Sequence, residues 1–424
     1  MLFLMKKIYF YFTIAVIYLF LLANLEAQEN SESSSKTLQE CYELALKQSE
    51  KLAIQKEVIE EAKARFLQAI SALSPRASFV YSNKWQDANS SGSTSRRETP
   101  EGKFNFSQPL FTGFKEFADI AASRTEKKQR GYEFERAKQL LFGDVSDAFY
   151  FFLSTQKDFG VLLAIEEILR ERIDELEKRE ELGRSRPSEV VSAQAQLSRV
   201  EAEIQLIDSQ RQVARQILEF LTGEQIDRLN DETEMSPTLM PLEFYAPYSE
   251  KRLDVLASYE AWQKSKSEVI STASGYWPTV SLDSNQYTKR VGSSENIDWD
   301  ATFTVEVPLF QGGETAGEVQ ESKAKEREAQ LAFEKLKREA LLEIKNAYAR
   351  LNFGLKRCEA LKKALEANER NYQLQLEDYN INLVNNLDVL RALEEFQETK
   401  RDFVAIQNEV KRLYGQFKVS LGEL

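Results

Sequence analysis

The 424-residue sequence contains no histidine and only two cysteines. Cys41 and Cys358 are far apart and lie at non-equivalent positions of the two repeats described below, so neither a disulfide framework nor a metal cluster is indicated. The lack of histidine excludes most zinc sites and the Ser-His-Asp and Cys-His catalytic arrangements. No constellation of base, nucleophile and metal ligand remains, so we predict a protein that is not an enzyme and that needs no metal and no cofactor.

Basic residues are fewer than acidic ones: 56 Lys and Arg face 68 Asp and Glu, a net charge of −12. This balance argues against nucleic-acid binding, which requires a basic face. Proline is absent and glycine is scarce from 113 to 183 and again from 313 to 381. Each stretch is typical of one helix far longer than the usual three turns. At about 1.5 Å per residue, each would be on the order of 100 Å long.

One apolar run, Ile8 to Leu22, lies close to the start of the chain. Lys6 and Lys7 precede it, and Ala27 offers a small residue for cleavage, which is the pattern of a secretory signal peptide. The run is short for a membrane span, although an uncleaved anchor remains the alternative. We predict that residues 1–27 are a signal peptide, that the protein is exported, and that residues 28–36, rich in Ser and Glu, form a disordered leader.

One stretch occurs twice in the chain. Pro109-Leu110-Phe111-Thr112-Gly113 reappears as Pro308-Leu309-Phe310-Gln311-Gly312-Gly313, and in both places an alternating segment precedes it and a long helix follows. Proline cannot donate to a strand ladder, and glycine tolerates a turn. We therefore predict that a strand ends and hands over to a helix at two corners, marked by Pro109, Gly113, Pro308, Gly312 and Gly313.

An offset of 199 residues maps Pro109 onto Pro308 and Gly223 onto Gly422, while Pro75 matches Pro278 further upstream. The chain is thus one supersecondary unit used twice. The first repeat is predicted at 37–223, with a helix pair broken near Ser49, a β-hairpin at 75–111 and a long helical hairpin at 113–223. Residues 224–250 connect the copies. The second repeat, 251–424, has a helix, a β-hairpin at 278–310 and a long helical hairpin at 313–424.

The four alternating segments have the length of about ten residues that a tilted membrane strand needs. An open sheet edge cannot lie in lipid, so several chains must share one barrel. Two chains would give a filled eight-strand barrel, and three would give twelve strands and a passage. The apolar faces are expected to meet lipid; they carry Phe79, Tyr81, Phe104, Phe106, Leu282, Phe303 and Val305.

A tight turn separates each long helix from a shorter one whose apolar residues form a coiled-coil seam. Gly183 and Asn382 occupy equivalent positions in the two turns, and both residue types favour a left-handed C-cap. Glu189 and Asp388 open the next helices, where an acid suits the helix dipole. That local role and a gating role both remain open for the two acids.

The chain resembles the TolC-like outer-membrane efflux proteins, the exit ducts of drug-efflux pumps and type I secretion systems. The resemblance covers nearly the whole mature chain. It rests on the duplicated Pro-Leu-Phe-x-Gly unit, on Trp277-Pro278, on the segment from Tyr379 through Asn382 to Ala392, and on Leu421-Gly422-x-Leu424.

The resemblance implies a homotrimer with a twelve-strand barrel in the outer membrane and a barrel of α-helices that forms a tunnel across the periplasm. A periplasmic adaptor and an inner-membrane pump would dock and open its tip. The chain departs from the family at Asn382, where glycine is preferred, and at Arg391, where some members carry a second acid. Arg391 could neutralise a cation-selecting ring of acids from Asp388 and Glu189.

The alternative function belongs to another class: a periplasmic coiled-coil adaptor or scaffold without a channel of its own. Such proteins also contain long helical hairpins. They usually have one hairpin flanked by two halves of a small β-rich domain, and neither those halves nor an anchor is found in this sequence.

Overall fold

The computed structural model describes residues 35–85, 98–231, 239–291, 295–381 and 383–423. The predicted signal peptide and most of the predicted leader lie outside these residues. Lys36, the last residue of that leader, is held in place: its amide donates to the Arg228 carbonyl at 3.0 Å, and its carbonyl accepts from the Asn230 amide at 2.9 Å. The leader prediction is therefore wrong at Lys36, because the connection after the first repeat gives it a parallel bridge partner.

The first repeat opens with two helices, α1 (Leu38–Gln48) and α2 (Glu50–Ser71). The predicted break near Ser49 is confirmed, since Ser49 ends α1 and its hydroxyl accepts a hydrogen bond from the Leu52 amide at 3.4 Å. Thr37 caps α1 in the same way, and the Glu40 carboxylate completes a capping box. The two N-caps fix where each helix begins.

Two β-hairpins form one antiparallel sheet of four strands in the order β1-β2-β3-β4. β1 spans Arg76–Trp85, β2 Glu98–Thr112, β3 Thr279–Lys289 and β4 Trp299–Glu306. The four predicted strands are thus confirmed. Because β2 pairs with β3, the sheet joins the two repeats, and β1 and β4 form its two edges in the described chain.

The first strand-to-helix corner differs from the prediction. β2 runs through Pro109 to Thr112, whereas β4 ends at Glu306, before Pro308. Pro109 is tolerated in the strand because the ladder is irregular there: Pro109 pairs with Ser281 and Phe111 with Val280, which leaves Leu110 between them as a bulge. Proline therefore marks a bulge in the first repeat and follows the strand end in the second.

Each hairpin leads into a helical hairpin. The first consists of α3 (Lys115–Glu181) and α4 (Pro187–Thr222). The connection contains two single-turn helices, α5 (Leu242–Tyr245) and α6 (Tyr248–Lys251), and α7 (Leu253–Ala273) then leads to β3. The second helical hairpin consists of α8 (Glu314–Asn380) and α9 (Asn386–Leu421).

The helical hairpins confirm the duplication residue by residue. α3 and α8 have 67 residues each, α4 and α9 have 36 each, and all four boundaries of the second pair lie 199 residues after those of the first. At about 1.5 Å per residue, 67 residues extend roughly 100 Å. The long helices are rods, as predicted.

The buried hydrophobic side chains form three clusters along the long helices. One cluster packs α1 against α3 and α4 around Cys41 and Phe149, a second joins the tip ends of all four long helices around Leu169, and a third lies between α8 and α9. The connection packs on the third cluster, with the rings of Tyr245 and Phe417 5.0 Å apart. In the described ranges, no helix combines the length and the apolarity that crossing a membrane requires.

Candidate functional site

One face of the sheet is apolar. In the strand register, Phe79 lies opposite Phe104, and Leu282 lies opposite Phe303, and residues that face each other across a ladder point to the same side. All seven side chains predicted to meet lipid lie on this side and are 39% to 62% exposed in the chain. They are Phe79, Tyr81, Phe104, Phe106, Leu282, Phe303 and Val305. The single chain thus presents an unusually apolar open surface.

Two tryptophans on the same face were missed by the sequence reasoning. Trp85 ends β1 and Trp299 begins β4, and they are 73% and 64% exposed. The register places both at the hairpin-loop end of the sheet. Exposed tryptophans at one end of an apolar band are typical of a membrane–water boundary, and this pattern was visible in the alternating segments.

The opposite face is polar and hydrogen-bonded across three strands. The Asn105 amide donates to Asn285 Oδ1 at 3.0 Å, and the Asn285 amide donates to Asp300 Oδ1 at 2.8 Å. The Tyr287 hydroxyl donates to the other oxygen of Asp300 at 2.7 Å, and the guanidinium of Arg290 lies 4.0 Å from the centre of the Tyr287 ring. This arrangement suits a wall that faces water.

The two strand-to-helix corners require glycine for different reasons. Gly113, Gly312 and Gly313 all have positive φ, which side-chain-bearing residues rarely adopt. At Gly113 a Cβ would also lie 2.7 Å from the Cβ of Trp277 and 2.8 Å from the carbonyl oxygen of Ser274. No atom lies within 4 Å of a Cβ at Gly312 or Gly313. The first corner is therefore packed against the second repeat, and the second corner is open.

A tight turn follows each long helix. In the first turn, the predicted left-handed C-cap at Gly183 is present. Gly183 has φ +70°, and its amide donates to the Glu180 carbonyl at 2.8 Å. Asn382, its equivalent, lies outside the described residues. The Glu189 carboxylate accepts a hydrogen bond from the Ser185 hydroxyl at 2.9 Å. Asp388 accepts the Asn385 amide at 3.3 Å in a capping box. Both acids thus serve a local role at a helix start.

Among the described residues, Arg391 does not pair with Asp388. Its side chain is exposed, and among the described residues it makes no ion pair. Asp388 is half-buried, and its contacts are with the turn that it caps. Within the described residues, Asp388 and Arg391 therefore do not form an ion pair.

The residues that tie the tip together were missed by the sequence reasoning. Arg172 of α3 is buried, and its Nε and Nη2 donate to Asn386 Oδ1 of α9 at 3.1 and 2.9 Å. The same guanidinium lies 4.1 Å from the centre of the Tyr379 ring, and Arg179 lies 4.7 Å from it. The seven-residue spacing of the two arginines puts them on one helix face, a signal that could have been used.

Burial also shifts the pKa of a neighbouring tyrosine. Tyr372, one heptad before Tyr379, stacks on Phe396 with ring centroids 6.0 Å apart. Desolvation raises the pKa of the Tyr372 hydroxyl, and the nearby Arg172 opposes the increase. The tip ends of α3, α8 and α9 are thus joined by a buried aromatic and cationic cluster.

A second charged cluster lies near the C-terminal end of α9. Arg252 is 2% exposed and donates to Asp254 and Glu343, and the buried Arg136 donates to the Val419 carbonyl at 2.7 Å. Burial acts to raise the pKa of the Asp254 carboxyl, but hydrogen bonds and charge from Arg252 outweigh it, and the pKa is lowered. The cluster connects α3, α7 and α8 with the end of the chain.

In the part of the chain that the structure describes, no group of three or more His, Cys, Asp or Glu side chains is placed to hold a metal ion. Burial raises the pKa of the Cys41 thiol to about 12, which makes it unreactive. The absence of metals and cofactors stays a prediction.

Comparisons with known proteins decide the family. A family model described as outer membrane efflux protein matches residues 41–224 and 249–423. The chain belongs to the outer membrane efflux protein family. The resemblance inferred from the repeated motif is thereby confirmed.

The relatives agree with this assignment. The outer membrane protein TolC of Vibrio cholerae is 23% identical over 229 residues, and the match covers 50% of this chain and 51% of TolC. The chain therefore spans about half the length of this curated relative. The sequence identity is low, but the matched residues support the same family.

Solved structures show the same fold at low identity. CusC has a TM-score of 0.82 at 15% identity, with 91% of this chain and 92% of that chain covered. VceC of Vibrio cholerae has a TM-score of 0.81 at 20% identity, with coverage of 91% and 96%. CmeC of Campylobacter jejuni has a TM-score of 0.79 at 17% identity, with coverage of 91% and 85%. The predicted fold class, long helices with four antiparallel strands, is confirmed.

Proposed function

We propose that the protein is the outer-membrane exit duct of a tripartite efflux pump or of a type I secretion system. Three copies form a passive channel in which the sheets build a shared barrel and the helical hairpins extend it across the periplasm. A periplasmic adaptor and an inner-membrane pump dock at the helical tip and open it. The adaptor or scaffold alternative belongs to a different class and finds no support in the family match.

The pair of open sheet edges carries this proposal. β1 and β4 each have a strand on one side only in the described chain, while the sheet presents an apolar face and a hydrogen-bonded polar face. Unpaired backbone groups cannot lie in hydrocarbon, so β4 of one copy must pair with β1 of another. Three copies with four strands each give a twelve-strand barrel, wide enough for a passage.

Subunit counting and conductance test the proposal. The full-length protein, extracted from outer membranes in mild detergent, should have the mass of three chains by light scattering and should conduct ions in planar bilayers. A water-soluble monomer, or a trimer that carries no current when its tip is destabilised, would overturn the proposal. Recovery from the inner membrane or periplasm would contradict the location.

The acids of the tip are proposed to make the closed aperture favour cations. The support is that Asp388 forms no ion pair with Arg391 in the described chain and that Glu189 lies in the equivalent turn. Asp388→Asn and Asp388→Ala should lower cation selectivity in planar bilayers. Asp402→Asn, an exposed acid further along α9, is the matched control. Unchanged selectivity in both Asp388 variants would reject a gating role.

A further inference from the structure

A cavity of about 310 Å³ lies between α3, α8 and α9, beside the charged cluster around Arg252. α3 contributes Arg136 and Leu140 to its wall, α8 contributes Asn346 and Arg350, and the C-terminal half of α9 supplies the rest of the wall. Its volume is at the lower end of the range typical of small-molecule sites, about 300–1,000 Å³. The cavity is built by a single chain.

The cavity and the connection between the repeats lie on opposite sides of these helices. On α3, the Gln156 amide donates to a carbonyl of the connection at 2.8 Å, and Gln156 lies 16 residues beyond Leu140. At 3.6 residues per turn, the two side chains point about 160° apart. On α8, Lys337 pairs with Glu250 of α6 at 2.8 Å and lies nine residues, about two and a half turns, before Asn346. In the proposed channel, a connection inside the tunnel would obstruct it, so the cavity opens toward the tunnel.

Arg136 brings a buried positive charge to the cavity wall. Its side chain is 7% exposed, and its Nη1 donates to the Val419 carbonyl at 2.7 Å and to Gln139 Oε1 at 3.0 Å. Its Nε lies 3.7 Å from an oxygen of Asp254. Within the described residues, Nη2 donates no hydrogen bond. Because a guanidinium carries five N–H donors, part of this buried cation is left for a further acceptor.

The surroundings of Arg136 supply too little negative charge. Burial lowers the pKa of Arg136, and the charge of Arg252 adds to the decrease, whereas Asp254 and Glu343 oppose it without reversing it. A buried cation whose neighbours disfavour its charge is stabilised by any anion that can approach it. The cavity is the space beside Arg136 in which such an anion can lie.

A second arginine stands at the rim of the cavity. Arg350 and, one turn earlier, Asn346 are exposed, and neither forms an ion pair or a hydrogen bond with another described residue. The acid of the rim, Glu343, already accepts a hydrogen bond from Arg252 at 2.5 Å. Two guanidinium groups therefore flank the cavity, and the carboxylate beside them is engaged elsewhere. Guanidinium groups bind carboxylates and other planar or tetrahedral anions through paired N–H donors.

The duplicated fold does not itself require a buried cation at the position of Arg136. The 199-residue offset converts Arg136 into Lys335 of α8. The Lys335 side chain is 70% exposed and pairs with Glu339, one turn further along the same helix, at 3.5 Å. The burial of Arg136 is thus specific to the first repeat, where the cavity lies.

The remainder of the wall is apolar. Leu140, 42% exposed, faces Ala347, Leu413 and Val419 across the space between the three helices. A cavity of about 150 Å³ is large enough for benzene, so this one has room for an aromatic ring with an acidic substituent. An inorganic anion would pair with the arginines but would leave the apolar wall uncovered.

We propose that this cavity binds small amphipathic organic anions, with Arg136 and Arg350 pairing with the acidic group and Leu140, Ala347 and Leu413 covering the ring. The site gives the protein a binding station of its own within the wall of the conduit. Its opening into the tunnel rests on the proposed function, whereas binding itself requires only the folded chain.

Binding is measured with the full-length protein in mild detergent and with 4-(trifluoromethyl)benzoate as the probe, followed by the width of its fluorine NMR signal. The parent protein should broaden the signal saturably. The neutral 4-(trifluoromethyl)benzamide has nearly the same shape and should bind at least about tenfold more weakly, because charge-assisted hydrogen bonds are lost. Equal affinity for the two probes would overturn the assignment to anions.

Two substitutions test the site without touching the contacts of Arg136 with α9. Arg350→Gln should weaken binding of the benzoate about tenfold, and Leu140→Trp should abolish saturable binding by filling the cavity. Arg357→Gln is the matched control, since Arg357 is exposed two turns further along the same helix and does not line the cavity. Parent affinity in both the Arg350 and the Leu140 variants would overturn the proposed site.

Subunit counting and conductance separate this proposal from the proposed function. The probe should lower the single-channel current of the parent protein in planar bilayers and leave that of Leu140→Trp unchanged. Saturable binding without an effect on the current would contradict the opening of the cavity into the tunnel. A conducting trimer that does not bind the probe would overturn the anion site and leave the channel standing. A monomer that binds the probe would overturn the channel and leave the site.

Discussion

Replacement of Arg172 by alanine should loosen the tip without unfolding the rest of the chain. Arg172 donates twice to the buried Asn386 oxygen and lies against the Tyr379 ring. A hydrogen bond to a charged donor contributes about 1.5–3 kcal/mol. A cation–π contact adds about 0.5–2 kcal/mol. Asn386 is 1% exposed, so the loss of the two Arg172 donors would leave a buried acceptor oxygen without them.

The loss in Arg172→Ala is therefore about 3 kcal/mol, since the two donors share one acceptor oxygen. That value corresponds to roughly a hundredfold increase in local opening. Hydrogen exchange followed by mass spectrometry measures it directly, as faster exchange of the amides at 376–381 and 383–390 with little change in α1.

Arg170→Ala is the matched control for this experiment. Arg170 lies two residues earlier on the same helix, but its side chain is 58% exposed and pairs with Glu166 and Glu201 on the surface. Exposed pairs contribute about 1 kcal/mol or less. Equal exchange in the two variants would refute the conclusion that Arg172 ties the first repeat to the tip of the second.

Further substitutions test the charged cluster around Arg252 and the two strand-to-helix corners. The pKa of Asp254 is lowered in the folded chain. Its contribution to stability is therefore complete above the ordinary aspartate pKa of about 4 and is lost as the pH falls below that value. In chemical denaturation, Asp254→Asn should lose less stability between pH 5 and pH 3 than the parent protein does. In Gly113→Ala, the strain of a positive φ is combined with a clash of the new Cβ, 2.7 Å from the Trp277 Cβ, whereas Gly312→Ala has the strained φ alone. Gly113→Ala should therefore lower the melting temperature more than Gly312→Ala does. Equal decreases would contradict the role of packing at the first corner.

The elements with strong periodicity were predictable from the sequence. The rods, the four strands and the seams follow from local pattern alone, and the 199-residue offset transfers each boundary from one repeat to the other. Ser49 and Gly183 were found because a cap or a left-handed turn is a local requirement. These features depend on a few neighbouring residues.

The features that depend on distant partners were not predictable. Pro109 was expected to end a strand, but its tolerance in β2 depends on the bulge against β3, which lies about 170 residues further along the chain. Lys36 was assigned to a disordered leader because its partners, Arg228 and Asn230, lie in a segment without periodicity. Arg172 was overlooked because a charged residue on a long helix normally faces water.

The duplication also explains how one polypeptide can be stable while it exposes apolar surface. The connecting chain holds the two repeats at a high effective concentration, so the contacts of α7 and α9 with α3 form within one copy. Phe220 and Leu342 are exposed in the single chain, and β1 and β4 are the open edges of its sheet in the described residues. In the proposed trimer, pairing of β4 of one copy with β1 of the next would cover both sheet edges, because the strand order leaves one open edge on each hairpin.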